Sequence, residues 1–284
     1  MLLSTVFILR PRAAGTLPLT QGKAIHAWFL RLVQQHAPSL AAWLHGQERR
    51  KPFTTSPLQG MFTRQGPSAI VDPAHTYWLR VTSLHADLSA LLLALAAAPP
   101  ALVRLFQVEF ELLTVATQPQ EHAWAGQSSY AHLYNRATAE PPAAQATVEF
   151  ASPTVFRSQG RNLVLPLPRL LFSSLWEGWH AFTPLTLPPG LLPLLSTELD
   201  LLRYTLHTQM GDFGHYRQVG FVGSCTFGLP RRRAVEVLRG MQLLLEAAFF
   251  TGVGYKTTMG MGQVRCLSQA HQDTPEVGAL AFAR

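Results

Sequence analysis

The chain has 284 residues, 48% hydrophobic and 14% charged, with 23 Lys and Arg against 16 Asp and Glu and a net charge of +7. That length allows one large or two medium domains with sizeable cores, and the basic balance favours a polyanionic partner. The two cysteines, Cys225 and Cys266, exclude a disulfide framework and a four-cysteine zinc site. Read as buried free thiols, they fit a reducing, cytoplasmic setting.

Residues 2–9 read as a strand and are too short for a secretory apolar region. Residues 20–36 form a helix, because Ile25, Trp28, Phe29, Leu32 and Val33 recur at helical spacing. A short helix restarts at Pro38-Ser39 and runs through Leu44. Residues 57–63 and 75–81 suggest two strands. An Ala/Leu-rich helix over 83–98 ends at Pro99-Pro100, and its apolar run is too short to span a membrane. Residues 104–117 read as one long strand, with Phe106, Val108, Phe110 and Leu112 on one face. The first half therefore reads βαββαβ.

Residues 117–145 are polar and rich in Ala and Pro, and the domain boundary falls there. Strands are expected at 147–156, 199–208, 218–227 and 262–267, with helices at 170–182 and 232–250. Leu171, Leu175, Trp176 and Trp179 mark one side of the first of these helices. The second half again reads βαββαβ. The predicted class is α+β, with two tandem ferredoxin-like domains at residues 1–130 and 146–284.

Between the last helix and last strand lies Gly252-Val253-Gly254-Tyr255-Lys256-Thr257-Thr258-Met259-Gly260-Met261-Gly262. Glycines let a backbone approach a ligand closely, and successive exposed N–H groups form an anion nest. The order helix, glycines, strand is the reverse of a Rossmann fingerprint, and no Gly-Lys-Ser/Thr completes a P-loop. The loop is expected to touch phosphates through Lys256, Thr257 and Thr258, with Tyr255 stacking on a base. Arg231, Arg232 and Arg233 open the final helix, where a helix N-terminus favours anions. Arg157 and Arg161 flank an extended segment suited to tracking a phosphate backbone.

The glycine loop after a second-domain helix resembles that of the repeat-cleaving endoribonucleases of CRISPR systems. Leu44-His45 followed by Lys51-Pro52-Phe53-Thr54 resembles a segment of the same family. So do the helix carrying His26, the stretch Thr147-Val148-Glu149-Phe150, and Gly220-Phe221-Val222-Gly223-Ser224. The resemblance implies tandem ferredoxin-like domains and cleavage of precursor CRISPR RNA without metal or cofactor. It implies attack by the 2′-hydroxyl, leaving a 2′,3′-cyclic phosphate and a 5′-hydroxyl.

That reaction needs a base, an acid and a cation at the crowded phosphorane. Histidine suits the first two, with an ordinary pKa of roughly 6.5, and lysine the third. His45, beside Glu48, Arg49, Arg50 and Lys51, is the first candidate, although Gly46 also fits a plain helix C-cap. His26 is the second, and Lys51 the candidate cation. Which histidine is acid and which base stays open at this point. The expected partner is CRISPR repeat RNA, before and after cutting. A non-catalytic RNA-binding subunit of a CRISPR effector complex is the alternative. The apolar content is compatible with a homodimer. No HExxH, paired carboxylates or Gly-x-Ser-x-Gly elbow is present, so neither a metal nor an acyl-transfer site is expected.

Overall fold

The computed structural model describes residues 1–47, 50–213, 216–229 and 234–267. The first unit opens with β1 (Leu2–Pro11), β2 (Gly15–Pro18), α1 (Gly22–His36) and α2 (Pro38–Gly46). Strands β3 (Phe53–Thr55), β4 (Gln59–Gly60), β5 (Thr63–Gln65), β6 (Ser68–Val71) and β7 (Tyr77–Ser83) follow. It continues through α3 (Ala86–Ala97), β8 (Leu102–Leu105), β9 (Val108–Ala116) and β10 (Gly126–Ser128). The second unit begins with α4 (Tyr130–Ala139), β11 (Gln145–Thr154), β12 (Phe156–Ser158), β13 (Arg161–Leu163), α5 (Pro168–His180) and α6 (Leu191–Thr197). It ends with β14 (Asp200–Asp212), β15 (Arg217–Gly228), α7 (Val235–Thr251) and β16 (Val264–Leu267).

The first main sheet has the order β3-β7-β1-β9-β8, and the second β14-β15-β11-β16. In each, the first strand of a βαββαβ run lies between the third and fourth, and neighbours run antiparallel. This is the ferredoxin-like arrangement twice over. The helices pack as their periodicity dictates. Ile25, Trp28, Phe29, Leu32 and Val33 of α1 are buried, and the Trp28 ring meets Phe7 of β1 edge-on at 5.3 Å. Each such side chain stabilises the unit by roughly 2 kcal/mol. Leu171, Leu175 and Trp179 of α5 fill the second core with Val148, Phe150 and Phe227.

Several elements differ from expectation. Residues 104–117 form a hairpin, not one strand: Leu105 pairs with Val108, and Phe106 turns the chain at φ 54° with 43% of its surface exposed. The alternation of apolar residues runs on through this turn, so a period of two does not reveal it. Residues 57–63 hold the two-residue β4 and only the first residue of β5. Helix α4 lies across the limits of the two expected domains. It starts at Ser129, whose side chain accepts from the His132 N–H at 3.0 Å, and it adds Tyr130, Leu133 and Ala137 to the second core. Cys225 is buried, but Cys266 is exposed, because β16 is an edge strand. No described helix is long and apolar enough to cross a membrane.

Candidate active site at the domain junction

The glycine loop leaves α7 and returns as β16. Gly252, Gly254, Lys256, Gly260 and Gly262 take φ of 60°, 79°, 61°, 87° and 66°. The N–H groups of Val253, Gly254 and Tyr255 donate to Gly262 O, Ser174 Oγ and Val155 O at 3.0, 2.8 and 2.9 Å. Those of Met261 and Gly262 donate to Lys256 O and Pro153 O at 3.3 and 3.1 Å. These five amides are therefore committed to protein acceptors, as buried amides are, and none of the five is left for an anion. The loop is a braced strut, and it meets the first unit. A Cβ on Gly22, the first residue of α1, would stand 1.9 Å from the Met259 carbonyl oxygen, so only glycine permits this approach.

At that contact the loop reaches His26. The Nδ1 of His26 lies 2.9 Å from the Thr258 carbonyl oxygen, and Thr55 Oγ1 donates to the same oxygen at 2.8 Å. A carbonyl only accepts, so Nδ1 carries the proton and Nε2 keeps its lone pair. The imidazole stacks on Phe53, with centroids 5.7 Å apart. Burial lowers its pKa; the Thr258 hydrogen bond opposes this, and the positive charges of Lys51 and His45 lower it further. The net result is a neutral, tautomer-fixed imidazole near pH 7.

His45 is exposed at the end of α2. The Lys51 ammonium donates to the carbonyls of Leu44 and His45 at 2.6 and 3.1 Å, closing the C-terminus of that helix. The cap therefore fixes the chain at His45 while its charge acts on His26. His26, His45 and Lys51 share one electrostatic neighbourhood. Glu48, Arg49, Arg231, Arg232 and Arg233 lie outside the described residues.

Two arginines absent from the sequence-derived site hold the junction. Arg50 Nη1 donates to the Ser174 carbonyl at 3.0 Å, and Ser174 Oγ in turn accepts from the Gly254 N–H. Gly178 makes room for Arg50, since a Cβ there would lie 2.5 Å from Nη1. Arg80 of β7 is 1% exposed. Its Nε donates to Ser4 Oγ at 2.7 Å and Trp124 O at 3.1 Å, its Nη1 to Gln263 Oε1 at 2.8 Å, and its Nη2 to Phe249 O. Phe249 and Trp124 also lie against the guanidinium. Burial, with Arg265 nearby, draws its pKa down to about 9. Gln263 passes the contact on: its Nε2 donates to Thr54 Oγ1 and Thr55 O, each at 3.2 Å. A buried polar network thus runs from Arg80 through Gln263 and Thr55 to Thr258 and His26.

The other expected binding residues divide. Arg157 lies over the Tyr255 ring at 5.4 Å, and Lys256 sits beside it on the loop. Thr257 packs its methyl group close to Gly252 and Gly262, which makes it a spacer within the loop. Arg161 is exposed beside the turn of the β12–β13 hairpin.

Two ferredoxin-like units joined by a glycine loop that reaches a histidine define the class of repeat-associated, tandem ferredoxin-like proteins. The chain matches the CRISPR Cas6 N-terminal domain over residues 1–135 and the CRISPR-associated endoribonuclease Cas6 over 148–264. Thermus thermophilus Cas6 TTHB231, solved as a product complex, is 30% identical with a TM-score of 0.77, covering 94% of this chain and 100% of that one. A Cas6 substrate mimic complex is 29% identical with a TM-score of 0.69, over 94% and 99%. The CRISPR-associated endoribonuclease Cas6 of Mycobacterium tuberculosis is 33% identical over 129 residues, 45% of this chain and 40% of its own length. The aligned stretch is thus less than two thirds of that relative. A Cas6-related protein from Pyrococcus furiosus, 11% identical with a TM-score of 0.63, shares the fold. The chain belongs to the Cas6 family of CRISPR-associated endoribonucleases.

Proposed function

We propose that this chain cuts precursor CRISPR RNA within its repeats by metal-independent transesterification. His26 Nε2 takes the proton of the 2′-hydroxyl beside the scissile phosphate. The 2′-oxygen attacks phosphorus, and the bond to the 5′-oxygen breaks. His45 protonates that leaving oxygen. The products are a 2′,3′-cyclic phosphate and a 5′-hydroxyl. Lys51 offsets the charge that grows on the phosphorane. The observation that carries the reading is the His26–Thr258 hydrogen bond, which fixes the tautomer a general base needs.

The partner in this reading is the repeat RNA, held by Lys256, Tyr255 and Arg157, with the loop glycines and Thr257 as the frame that places them. Arg161 extends the same basic surface. The endoribonuclease of Mycobacterium tuberculosis, together with the Cas6 product and substrate mimic complexes, supports an RNA substrate. The test is cleavage of repeat RNA in excess EDTA, with a 2′-deoxy substitution at the cut site as control. Cleavage blocked by the deoxy sugar and indifferent to EDTA is expected. Dependence on added Mg²⁺ would overturn the mechanism, and tight binding without cleavage would make the chain an RNA-binding subunit.

A further inference from the structure

Beyond the loop, the facing hairpin carries an aromatic pair with no part in the reaction above. Phe213 and Tyr216 lie at the ends of β14 and β15, and their rings stack with centroids 5.3 Å apart and planes at 15°. Phe213 is 6% exposed and packs with Val155 and Met261 at the base of the glycine loop. Tyr216 is 45% exposed. One ring is thus anchored in a core while its stacked neighbour faces solvent. A tyrosine needs only the anchor to be held as a rigid surface, with little entropy left to lose when something settles on it.

Lys256 joins this pair to the loop. Its Nζ lies 3.6 Å from the Tyr216 centroid, 4.5 Å from that of Phe213 and 5.2 Å from that of Tyr255, and it donates to the Tyr216 hydroxyl. Its φ of 61° is one that glycine adopts readily and lysine does not. The other positive-φ positions of this loop are all glycine. Glycine here would relieve the strain, so the lysine stands at a position chosen against its backbone preference. Its side chain gives the reason: it sets an ammonium among three rings, two residues from Thr258. Arg157, over the outer face of the same group at Tyr255, adds a second cation.

Cation and exposed ring side by side are what one unpaired nucleotide requires, a phosphate for the first and a base face for the second. We propose that Tyr216, backed by Phe213, is a stacking platform for an unpaired nucleobase, and that Lys256 binds the phosphate attached to it. The proposal rests on the reading of the chain as an RNA-acting protein, and it adds a subsite outside the histidine centre. Because every base has a π-face, the platform tolerates sequence and selects instead for a base that is not paired. It therefore favours RNA that is single-stranded next to the junction.

The test uses two probes of equal charge, an adenosine dodecamer and an abasic ribose-phosphate dodecamer, titrated against the full chain at fixed salt. The wild type is expected to bind the adenosine probe about tenfold more tightly. Tyr216→Ala, at an exposed position, removes most of that preference and leaves abasic binding unchanged. Lys256→Gly weakens both probes alike and lowers the salt slope by about one phosphate, with no loss of melting temperature. Tyr216→Ala that keeps the full preference overturns the platform. Lys256→Gly with unchanged affinity and slope overturns the phosphate site. The second outcome would also remove Lys256 from the RNA grip given above; neither touches the cleavage chemistry, which the repeat RNA assay decides by itself. A chain that cuts repeat RNA yet fails here lacks this subsite alone.

Discussion

His26 and Thr258 stand 232 positions apart in the chain and 2.9 Å apart in space. The Nδ1–H of one is held by the carbonyl of the other. A helix of the first unit thereby receives its tautomer from a loop of the second. The side chain proposed as the base and the backbone that fixes its tautomer come from different halves of the molecule.

The hydrogen bond separates anchoring from catalysis. Asparagine at position 26 keeps an N–H donor for the Thr258 carbonyl but has no basic nitrogen. His26→Asn is expected to lower single-turnover cleavage by about 10²-fold or more. RNA affinity should hold within a few-fold in a filter-binding titration. A rate within threefold of wild type would remove His26 from the base role.

The lowered pKa of His26 carries a sign. A base must be neutral, so the acid limb of the rate lies at the depressed value, below the ordinary histidine value of about 6.5, and the rate falls again at higher pH where the general acid is deprotonated. A single-turnover pH–rate profile measures this; an acid limb centred above 6.5 would contradict it. Stability follows the same direction. His26 and His122 are both held neutral chiefly by burial. The unfolded chain binds more protons once the pH drops below about 6.5, so stability falls from there down through the depressed values.

Lys51 caps α2 through two carbonyls. Lys51→Ala is expected to cost roughly 1–2 kcal/mol in urea denaturation, as a lost charge-assisted hydrogen bond does. It should also slow cleavage by more than this stability loss explains, because the proposed mechanism uses the same ammonium at the phosphorane. Lys51→Arg restores the stability better than the rate, since a planar guanidinium does not reproduce the point charge.

Gly178 and Arg50 form a size-matched pair. Gly178→Ala puts a methyl group where Nη1 sits, so the end of the Arg50 side chain must shift and loosen its hold on Ser174, a loss of roughly 1 kcal/mol. In the Gly178→Ala/Arg50→Ala double variant the clash is gone, so the two losses do not add. Additive losses in the cycle would show that the two residues do not share the space.

Arg80 ties Ser4 and Trp124 of the first unit to Phe249 and Gln263 of the second. Arg80→Met leaves several buried acceptors without a donor and is expected to cost about 3 kcal/mol or more. Calorimetry should then resolve two transitions where the wild type has one. A single transition at an unchanged temperature would mean that the units are held together elsewhere.

Much of the fold is legible in the chain. Ile25, Trp28, Phe29, Leu32 and Val33 announce α1, and all five are buried. The doubled βαββαβ order is readable from period alone. The turn at Phe106 is not, because its apolar side chain continues the alternation while its backbone reverses. Helix α4 hides for the opposite reason: only Tyr130, Leu133 and Ala137 are buried, with Tyr134 packed beside them, and so few apolar positions do not stand out in a polar, Ala-rich stretch. Within the site, residue type pointed to His26, His45 and Lys51, since few side chains suit such chemistry. Arg50 and Arg80 carry no such mark. Arg50 reads as one charge in a basic run and Arg80 as one residue of a strand, and the partners that give them their role, Ser174 for the first and Phe249 and Gln263 for the second, come from the opposite domain. The glycine spacing was visible, yet the use of its amides was not, because Ser174, Val155 and Pro153 approach from distant sequence.

The reach of the glycine loop bears on synthesis. A ribosome completes α1 well before the carbonyl that orients its histidine, which comes 232 positions after His26 at Thr258. Until then the imidazole is free to turn and to exchange its proton between nitrogens. A nascent chain or a fragment that stops before Thr258 thus lacks the carbonyl that fixes this tautomer, and the preparation of His26 waits for the second unit.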